Sequence, residues 1–412
     1  MRIIYLHQHF CTPAMAAGGY SYEWARRFVR HGHEVHVVAA DRSAEGSRWR
    51  ETLEDGIHIH WYPVAYSNSM RYRRRMGSFF HFAWVAGRKA VSLPGDVVIA
   101  SSTPLTIALP GAYVARKKSI PMVFEVADLW PEMPIAVGAL RSRPAIAAAR
   151  WLERFAYRHS AHIVAQSPGV KDGVVAAGYP PEQVAVVPTC CDREYFQVSA
   201  EAGQEFRRQH DWLGSRPMVL YGGSMGHLNG VDYLARLAAI VGRRDPEICF
   251  VVVGTGAEES KVRHEAESLG VLGRNFLMLP PIPRRQMPAV LSAADIATSV
   301  FIDLKEMWSN NASKVFDALA AGRPIAINHQ GWLADMIRQS NCGLVLDVHD
   351  LETSADQVVC AIRDRQWLAQ AGAAATRLAR ERFDRATMAD VFESILLRVV
   401  GAAPPAAHRR AA

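Results

Sequence analysis

The sharpest chemical signal in this chain is the stretch Asn310-Asn311-Ala312-Ser313-Lys314-Val315-Phe316-Asp317-Ala318-Leu319-Ala320-Ala321-Gly322-Arg323-Pro324. Asn and Ser residues ahead of an apolar periodic run predict a helix start, and Gly322-Arg323-Pro324 predicts its stop. Ser313 or Lys314 and Asp317 lie three to four residues apart, so they share one helical face. A helix N-terminus carrying a lysine can neutralise a diphosphate without a metal, because backbone N–H groups and the helix dipole both favour negative charge there. A carboxylate one turn further on can accept two hydrogen bonds from ribose hydroxyls. The same residues also suit a capped surface helix with an ordinary intrahelical ion pair.

Three glycine-bearing turns have a related character: Gly18-Gly19, Gly222-Gly223-Ser224-Met225-Gly226 and Gly254-Thr255-Gly256. Each lets backbone N–H groups approach an anion closely, and each could equally be structural. None matches Gly-x-Gly-x-x-Gly or a Walker P-loop, which argues against a dinucleotide oxidoreductase or a kinase. The sequence contains no Asp-x-Asp pair, so no metal and no cofactor are expected. The six cysteines, Cys11, Cys190, Cys191, Cys249, Cys342 and Cys360, have no metal-ligand spacing and predict reduced cytosolic thiols.

These residues need elements to position them. Short apolar strands are predicted at Arg2–Leu6, Glu34–Ala39, Asp96–Ala100, Pro121–Val126 and His162–Ala165, with a helix over Gly18–His31 that shows Trp24, Ala25, Phe28 and Val29 on one face. The pattern restarts after the polar segment Asp192–Arg216, with strands at Met218–Tyr221, Ile248–Val253, Phe276–Leu279, Asp295–Val300, Arg323–Ile327 and Gly343–Leu346. Alternating strands and amphipathic helices predict parallel sheets wound by right-handed crossovers, and two such series predict two Rossmann-like α/β domains facing across a cleft. The expected division is 1–195 for an acceptor-side domain and 196–381 for a nucleotide-binding one. A last helix at about 382–400 is expected to pack back on the first domain, followed by a disordered tail at 401–412.

With 412 residues, 21% of them charged, the composition is that of a globular protein of two domains. The longest uncharged stretch, Val97–Ala115, is broken by Pro104 and Pro110, so neither a membrane span nor a signal peptide is expected. Charge is unevenly divided: residues 1–200 hold 23 Lys and Arg against 16 Asp and Glu, the remainder 24 against 24. Within the basic half, Arg71-Tyr72-Arg73-Arg74-Arg75 precedes Phe79-Phe80-His81-Phe82-Ala83-Trp84. Basic residues beside aromatics suit an anionic membrane surface or a phosphate-bearing acceptor, or else a solvated loop beside a buried helix. Nothing resembles a nucleic-acid reading helix or a stacking sheet, so no nucleic acid is expected.

The 310–324 segment resembles the donor-binding helix of the retaining GT-B glycosyltransferases of family 4. Its form is similar to the subgroup that builds bacterial surface polysaccharides, including the N-acetyl-L-fucosamine transferases of O-antigen synthesis. The likeness runs from residue 1 to about 400. It includes Tyr5-Leu6-His7-Gln8-His9-Phe10 with Gly18-Gly19 and Glu23, Ser101-Ser102-Thr103-Pro104, Phe124-Glu125-Val126-Ala127-Asp128-Leu129-Trp130-Pro131-Glu132, and Val187-Pro188 with Asp192 and Phe196. It implies a nucleotide-sugar donor and transfer with retained configuration. The implied acceptor is polyprenyl-diphosphate-linked or an oligosaccharide, and the implied location is the inner face of the cytoplasmic membrane, as a peripheral protein.

By family position Gly18-Gly19 face the donor phosphates or the reacting sugar, Gly223 and Ser224 line the diphosphate, and Ile282 lies near the base. Asn310, Asn311, Ser313 and Lys314 bind the donor, and Asp317 stands for the second glutamate of the family's Glu–seven residues–Glu pattern. Asp128 and Glu132 become candidates for activating the acceptor hydroxyl, although Asp128-Leu129-Trp130-Pro131 also suits a capped turn. Three departures stand out: Ser309 at the first glutamate, Ser224-Met225-Gly226-His227-Leu228-Asn229 without the usual arginine and lysine, and Ala127 where relatives often carry histidine or arginine. Lys314 therefore becomes the main phosphate cation. Other readings of the same shape are a non-catalytic partner subunit and a nucleotide-sugar epimerase.

Overall fold

The computed structural model describes residues 1–15, 19–42, 44–66, 70 and 72–402, with the side chains of Tyr72 and Arg73 left aside. Gly18, Arg71 and the end of the expected tail, 403–412, lie outside the described residues. The chain divides into two compact units, Met1–Pro188 with Ala386–Ala412, and Thr189–Arg385.

The first unit is wound on an eight-stranded sheet, ordered Arg50–Glu54, Ile57–Pro63, Glu34–Asp41, Arg2–Leu6, Val97–Ser101, Met122–Val126, His162–Ala165 and Val184–Val186. All pairings are parallel except the first, an antiparallel hairpin turned by Asp55 and Gly56 at φ 50° and 80°. Two successive positive φ values give the turn whose twist matches paired strands, which is why Asp-Gly sits there. The central strands are apolar because helices cover both faces, so alternation disappears: Met122–Val126 is buried throughout. One continuous core runs through Ile4, Leu6, Val98, Ala100, Phe124, Ile163 and Ala165.

The last helix, Arg385–Ala402, closes this unit from the far end of the sequence. Phe392, fully buried, packs edge-on against Trp24 and Phe28, which are turned inward by the Tyr20–Arg30 helix. Burying each such side chain is worth about 1.5–3 kcal/mol. Beside them Glu393 accepts from His31 at 2.6 Å and from His33 at 2.5 Å, clasping the same contact with two hydrogen bonds.

The second unit carries a fully parallel six-stranded sheet: Phe276–Leu279, Cys249–Val253, Met218–Gly222, Ile296–Ser299, Ile325–Ile327 and Gly343–Val345. It opens earlier than the boundary drawn after 195, because Cys191 bridges to Asp384 and Arg385 grips Asp192 at 2.7 Å. Those contacts draw 189–195 and 382–385 into the second unit. The segment Asp192–Arg216, expected as polar connection, forms two helices, Arg193–Phe196 and Ala200–Arg208.

The cysteines form no disulfide; Cys360 is exposed and the other five are buried. The aromatic run after the basic cluster lies on the helix Tyr72–Ser92 and splits between faces. Phe79 and Phe82 enter the core, while Phe80 and Trp84 are 53% and 61% exposed.

Candidate active site

The helix Ser313–Ala320 begins on Ala312, which has no side chain able to cap it. The first N–H groups of a helix have no intrahelical acceptor, so this end is left open to an anion. Asn310 and Asn311 tie down the approach instead: Asn311 Nδ2 donates to Thr189 Oγ1 at 2.9 Å, and the Asn310 carbonyl accepts from Trp332 Nε1 at 2.9 Å. Asn311 Oδ1 is buried with no partner among the described residues. Ser313 is exposed.

Lys314 lies with its Nζ 5.2 Å above the Tyr221 ring. Among the described residues no carboxylate comes within ion-pair distance of it. Burial pushes its pKa down to about 8, against a smaller opposing pull from Asp317. The alternative of an ordinary intrahelical ion pair is therefore not met: Asp317 is claimed by another element, and the lysine keeps its charge unmatched. An unmatched, half-buried ammonium is costly in an empty protein and useful against an incoming anion.

Two glycine turns form the floor of this site. Gly223 and Gly254 have φ 153° and 151°, which L side chains rarely adopt. A Cβ on Gly254 would meet the Gly223 carbonyl oxygen at 2.0 Å, and one on Gly256 the Met225 oxygen at 2.4 Å. The turns after Met218–Gly222 and Cys249–Val253 thus lie backbone against backbone, joined by Met225 N–H to Thr255 C=O at 3.0 Å. A Cβ on Gly223 would stand 2.4 Å from Lys314 Cε, so Gly223 and Lys314 are brought together. Ser224 is exposed, and its carbonyl is held by the Tyr221 hydroxyl at 2.7 Å.

Asp317, one turn along the helix, is gripped by a residue the sequence reading passed over. Arg284 donates to its two oxygens at 3.0 and 3.3 Å. Arg284 belongs to the short helix Arg284–Gln286, two residues past the half-buried Ile282, so the 282 loop lies against the helix Ser313–Ala320. Burial raises the Asp317 pKa, and Arg284 offsets part of that rise. Ser309, just ahead of the 310–324 segment, donates its hydroxyl to the Glu306 carbonyl at 3.1 Å.

In the first unit, the loop after Met122–Val126 is fixed by Ser102, whose hydroxyl accepts from Ala127 N–H at 3.3 Å. Asp128, next in line, is half-buried, and desolvation raises its carboxyl pKa, which suits a group that must take a proton. Glu132 instead pairs loosely with Arg150 at 3.4 Å, both side chains about half exposed. Gly19 packs tightly: a Cβ there would stand 3.0 Å from the Cys11 carbonyl oxygen. The strand Arg2–Leu6 runs into His7, Gln8 and His9. These carry buried ring or amide atoms without partners among the described residues, and both imidazoles are held neutral by burial with pKa values pushed down to about 3. Their tendency to stay buried and polar could have been suspected from His7-Gln8-His9 directly after an apolar strand.

One set of described residues could hold a cation, His31 with Asp390 and Glu393. It lies at the clasp of the last helix, and its hydrogen bonds serve that clasp.

Two parallel Rossmann-like units with open glycine turns at strand ends define the GT-B fold. The crystal structure of Anabaena Alr3699/HepE in complex with UDP and glucose superposes with a TM-score of 0.73 at 17% identity, covering 97% of this chain and 100% of that one. That of WaaG, a glycosyltransferase involved in lipopolysaccharide biosynthesis, does so with 0.69 at 18% identity over 96% and 99%. The chain belongs to the GT-B glycosyltransferases of family 4 type. Residues 16–190 match the Glycosyl transferase 4-like domain and residues 203–378 the Glycosyl transferases group 1 family. It is 22% identical to the putative colanic acid biosynthesis glycosyl transferase WcaI of Escherichia coli K12, over 72% of this chain and 75% of that one. With a GDP-mannose-dependent alpha-mannosyltransferase of Mycobacterium tuberculosis it shares 26% over 82% of each. It is an enzyme that uses nucleotide sugars.

Proposed function

We propose that this glycosyltransferase moves a single sugar, with retained configuration and without a metal, onto a polyprenyl-diphosphate-linked or oligosaccharide acceptor in surface polysaccharide synthesis. The observation that carries the reading is Lys314, an ammonium unmatched by any carboxylate of the described residues, beside an uncapped helix N-terminus and the Gly223 turn. In the reaction an acceptor oxygen bonds to the anomeric carbon as the bond from that carbon to the terminal phosphate oxygen breaks. The nucleoside diphosphate leaves with its charge taken by Lys314 and the helix N–H groups, and the acceptor proton passes to a base. Asp128 is the candidate for that base. Gly19, Ser224, Ser313, Asn310 and Asn311 border donor or sugar, Glu132 orients the acceptor, and Asp317 holds the ribose. The likeness of 313–324 to N-acetyl-L-fucosamine transferases, and the polysaccharide role in WcaI's name, support the surface-polysaccharide setting.

The acceptor end also supports work at the inner face of the cytoplasmic membrane. No helix among the described residues is long and apolar enough to cross a membrane. Exposed Phe80, Trp84, Tyr113 and Trp151 lie on the helices Tyr72–Ser92, Ala108–Lys118 and Arg143–Arg158, interspersed with exposed Arg116, Lys117, Arg150 and Arg154. Arg88 stacks on Trp84 at 5.0 Å. Aromatic rings with arginines between them suit an anionic headgroup layer.

Thermal unfolding against UDP-, GDP- and dTDP-sugars tests the donor. A bound donor at about 100 times its Kd stabilises by roughly 2.7 kcal/mol, and no shift with any of them contradicts the proposal. Flotation with vesicles tests the surface: binding to anionic but not neutral vesicles is expected, and equal recovery with both sinks the membrane half of the reading.

A further inference from the structure

We infer that Arg284 is a positioning residue for the donor ribose, holding the Asp317 carboxylate in a two-pronged grip that leaves its remaining lone pairs for the two ribose hydroxyls. The inference rests on the donor reading above and adds to it the way the second unit selects a ribonucleotide. A carboxylate has about four acceptor positions. Arg284 takes one on each oxygen, Nη2 at 3.0 Å from Oδ1 and Nη1 at 3.3 Å from Oδ2. The guanidinium is itself fixed from the other side, 5.3 Å from the Phe196 ring and 6.0 Å from the Tyr195 ring. Its plane is therefore set by two helices, Arg193–Phe196 and Ser313–Ala320, before any ligand arrives.

Asp317 is an aspartate, one methylene shorter than a glutamate, and its side chain is only 15% exposed. Left alone there it would tend to take up a proton, since burial already raises its pKa. A protonated carboxyl would offer one hydrogen-bond donor where a diol needs acceptors. The other charged groups facing it are Asp192, Arg385 and, one turn before it on the same helix, Lys314. Arg284 makes an ion pair with it at 3.0 Å. A lysine at 284 could supply the charge but not the fork, because an ammonium is a point charge.

The test compares the binding of UDP and GDP, each against its 2′,3′-dideoxy form, by wild type, Arg284→Gln and Arg284→Lys. Wild type should prefer the ribose form by about tenfold or more, as expected for two hydrogen bonds to a charged acceptor. Arg284→Gln should cut that preference to under about threefold while binding the dideoxy form nearly as before, and Arg284→Lys, which keeps a cation for Asp317 and so keeps the fold, should fall between. General damage would weaken both forms by one factor, and that outcome overturns the inference, as does a wild-type preference retained in both variants. Wild type that binds UDP or GDP without discriminating, or binds dTDP alone, also overturns it but leaves the donor reading standing. Wild type that binds no nucleotide sinks both.

Discussion

Lys314→Ala is expected to lower kcat by about 10²–10³-fold, the loss seen when one preorganised donor to a developing anion is removed. The charge that matters appears on the leaving diphosphate as the sugar–phosphate bond breaks, so the effect should fall on turnover more than on substrate binding. Stability should move little or rise. Among the described residues the ammonium has no carboxylate within ion-pair distance, and burial already lowers its pKa to about 8, so the protein without donor gains by losing it. Activity lost together with stability kept or raised is the mark of a residue retained for function. Steady-state transfer and urea unfolding on the same preparation separate the two effects. Activity within about twofold of wild type would remove Lys314 from the mechanism.

Arg385→Ala should have the largest effect on stability, a loss of about 3–5 kcal/mol. Its side chain is 4% exposed and pairs with Asp192, 15% exposed, at 2.7 Å, while Nη2 also donates to the Cys190 carbonyl at 2.9 Å. Removing the cation takes a charge-assisted hydrogen bond from the Asp192 carboxylate and another from the Cys190 carbonyl, where water cannot easily replace them. The pair joins the two ends of the second unit, Asp192 near its start and Arg385 at its last residue, so its loss should appear as fraying of that unit. Hydrogen exchange of the 189–196 amides would rise, and the urea midpoint would fall. A change under about 1 kcal/mol would mean that the ends are held by packing around Phe196 and Phe383 instead.

Much of the architecture was legible because parallel sheets covered on both faces write themselves as short apolar runs. Arg2–Leu6 and Phe276–Leu279 have the bounds that periodicity gives them, and the strands of the second sheet differ from expectation only at their ends. The hairpin Arg50–Glu54 with Ile57–Pro63 was not read, although Asp55-Gly56 is a strong turn signal. His58 and His60 lend that segment a polar look, and an edge strand such as Arg-Glu-Thr-Leu-Glu has one side in water and little apolar content to betray it. Val184–Val186 was missed for a simpler reason: three residues are too few to show a period.

The site was legible where its residues are neighbours in sequence, as in Ser313, Lys314 and Asp317. It was hidden where distant segments meet. Arg284 is 33 positions before Asp317, inside Pro280-Pro281-Ile282-Pro283-Arg284-Arg285, and nothing local says which arginine turns inward. The Arg385–Asp192 pair spans 193 positions and leaves no pattern at all. The glycines were read as room for an anion. At Gly254 and Gly256 the immediate constraint is the neighbouring backbone, with the anion's access a consequence of two turns packed together.

The central claim is that the Lys314 ammonium meets the donor diphosphate, and the pH dependence of nucleoside diphosphate binding tests it most directly. In the empty protein burial lowers this lysine to about 8, so it loses its proton as pH rises through that value. A bound diphosphate holds the charged form, which makes binding take up a proton and weaken with rising pH. Calorimetry from pH 7 to 10 should show the Kd of wild type rising above pH 8, towards roughly tenfold per unit, with Lys314→Met weaker at pH 7 and nearly flat. A flat wild-type profile, or the same slope in Lys314→Met, would contradict the account.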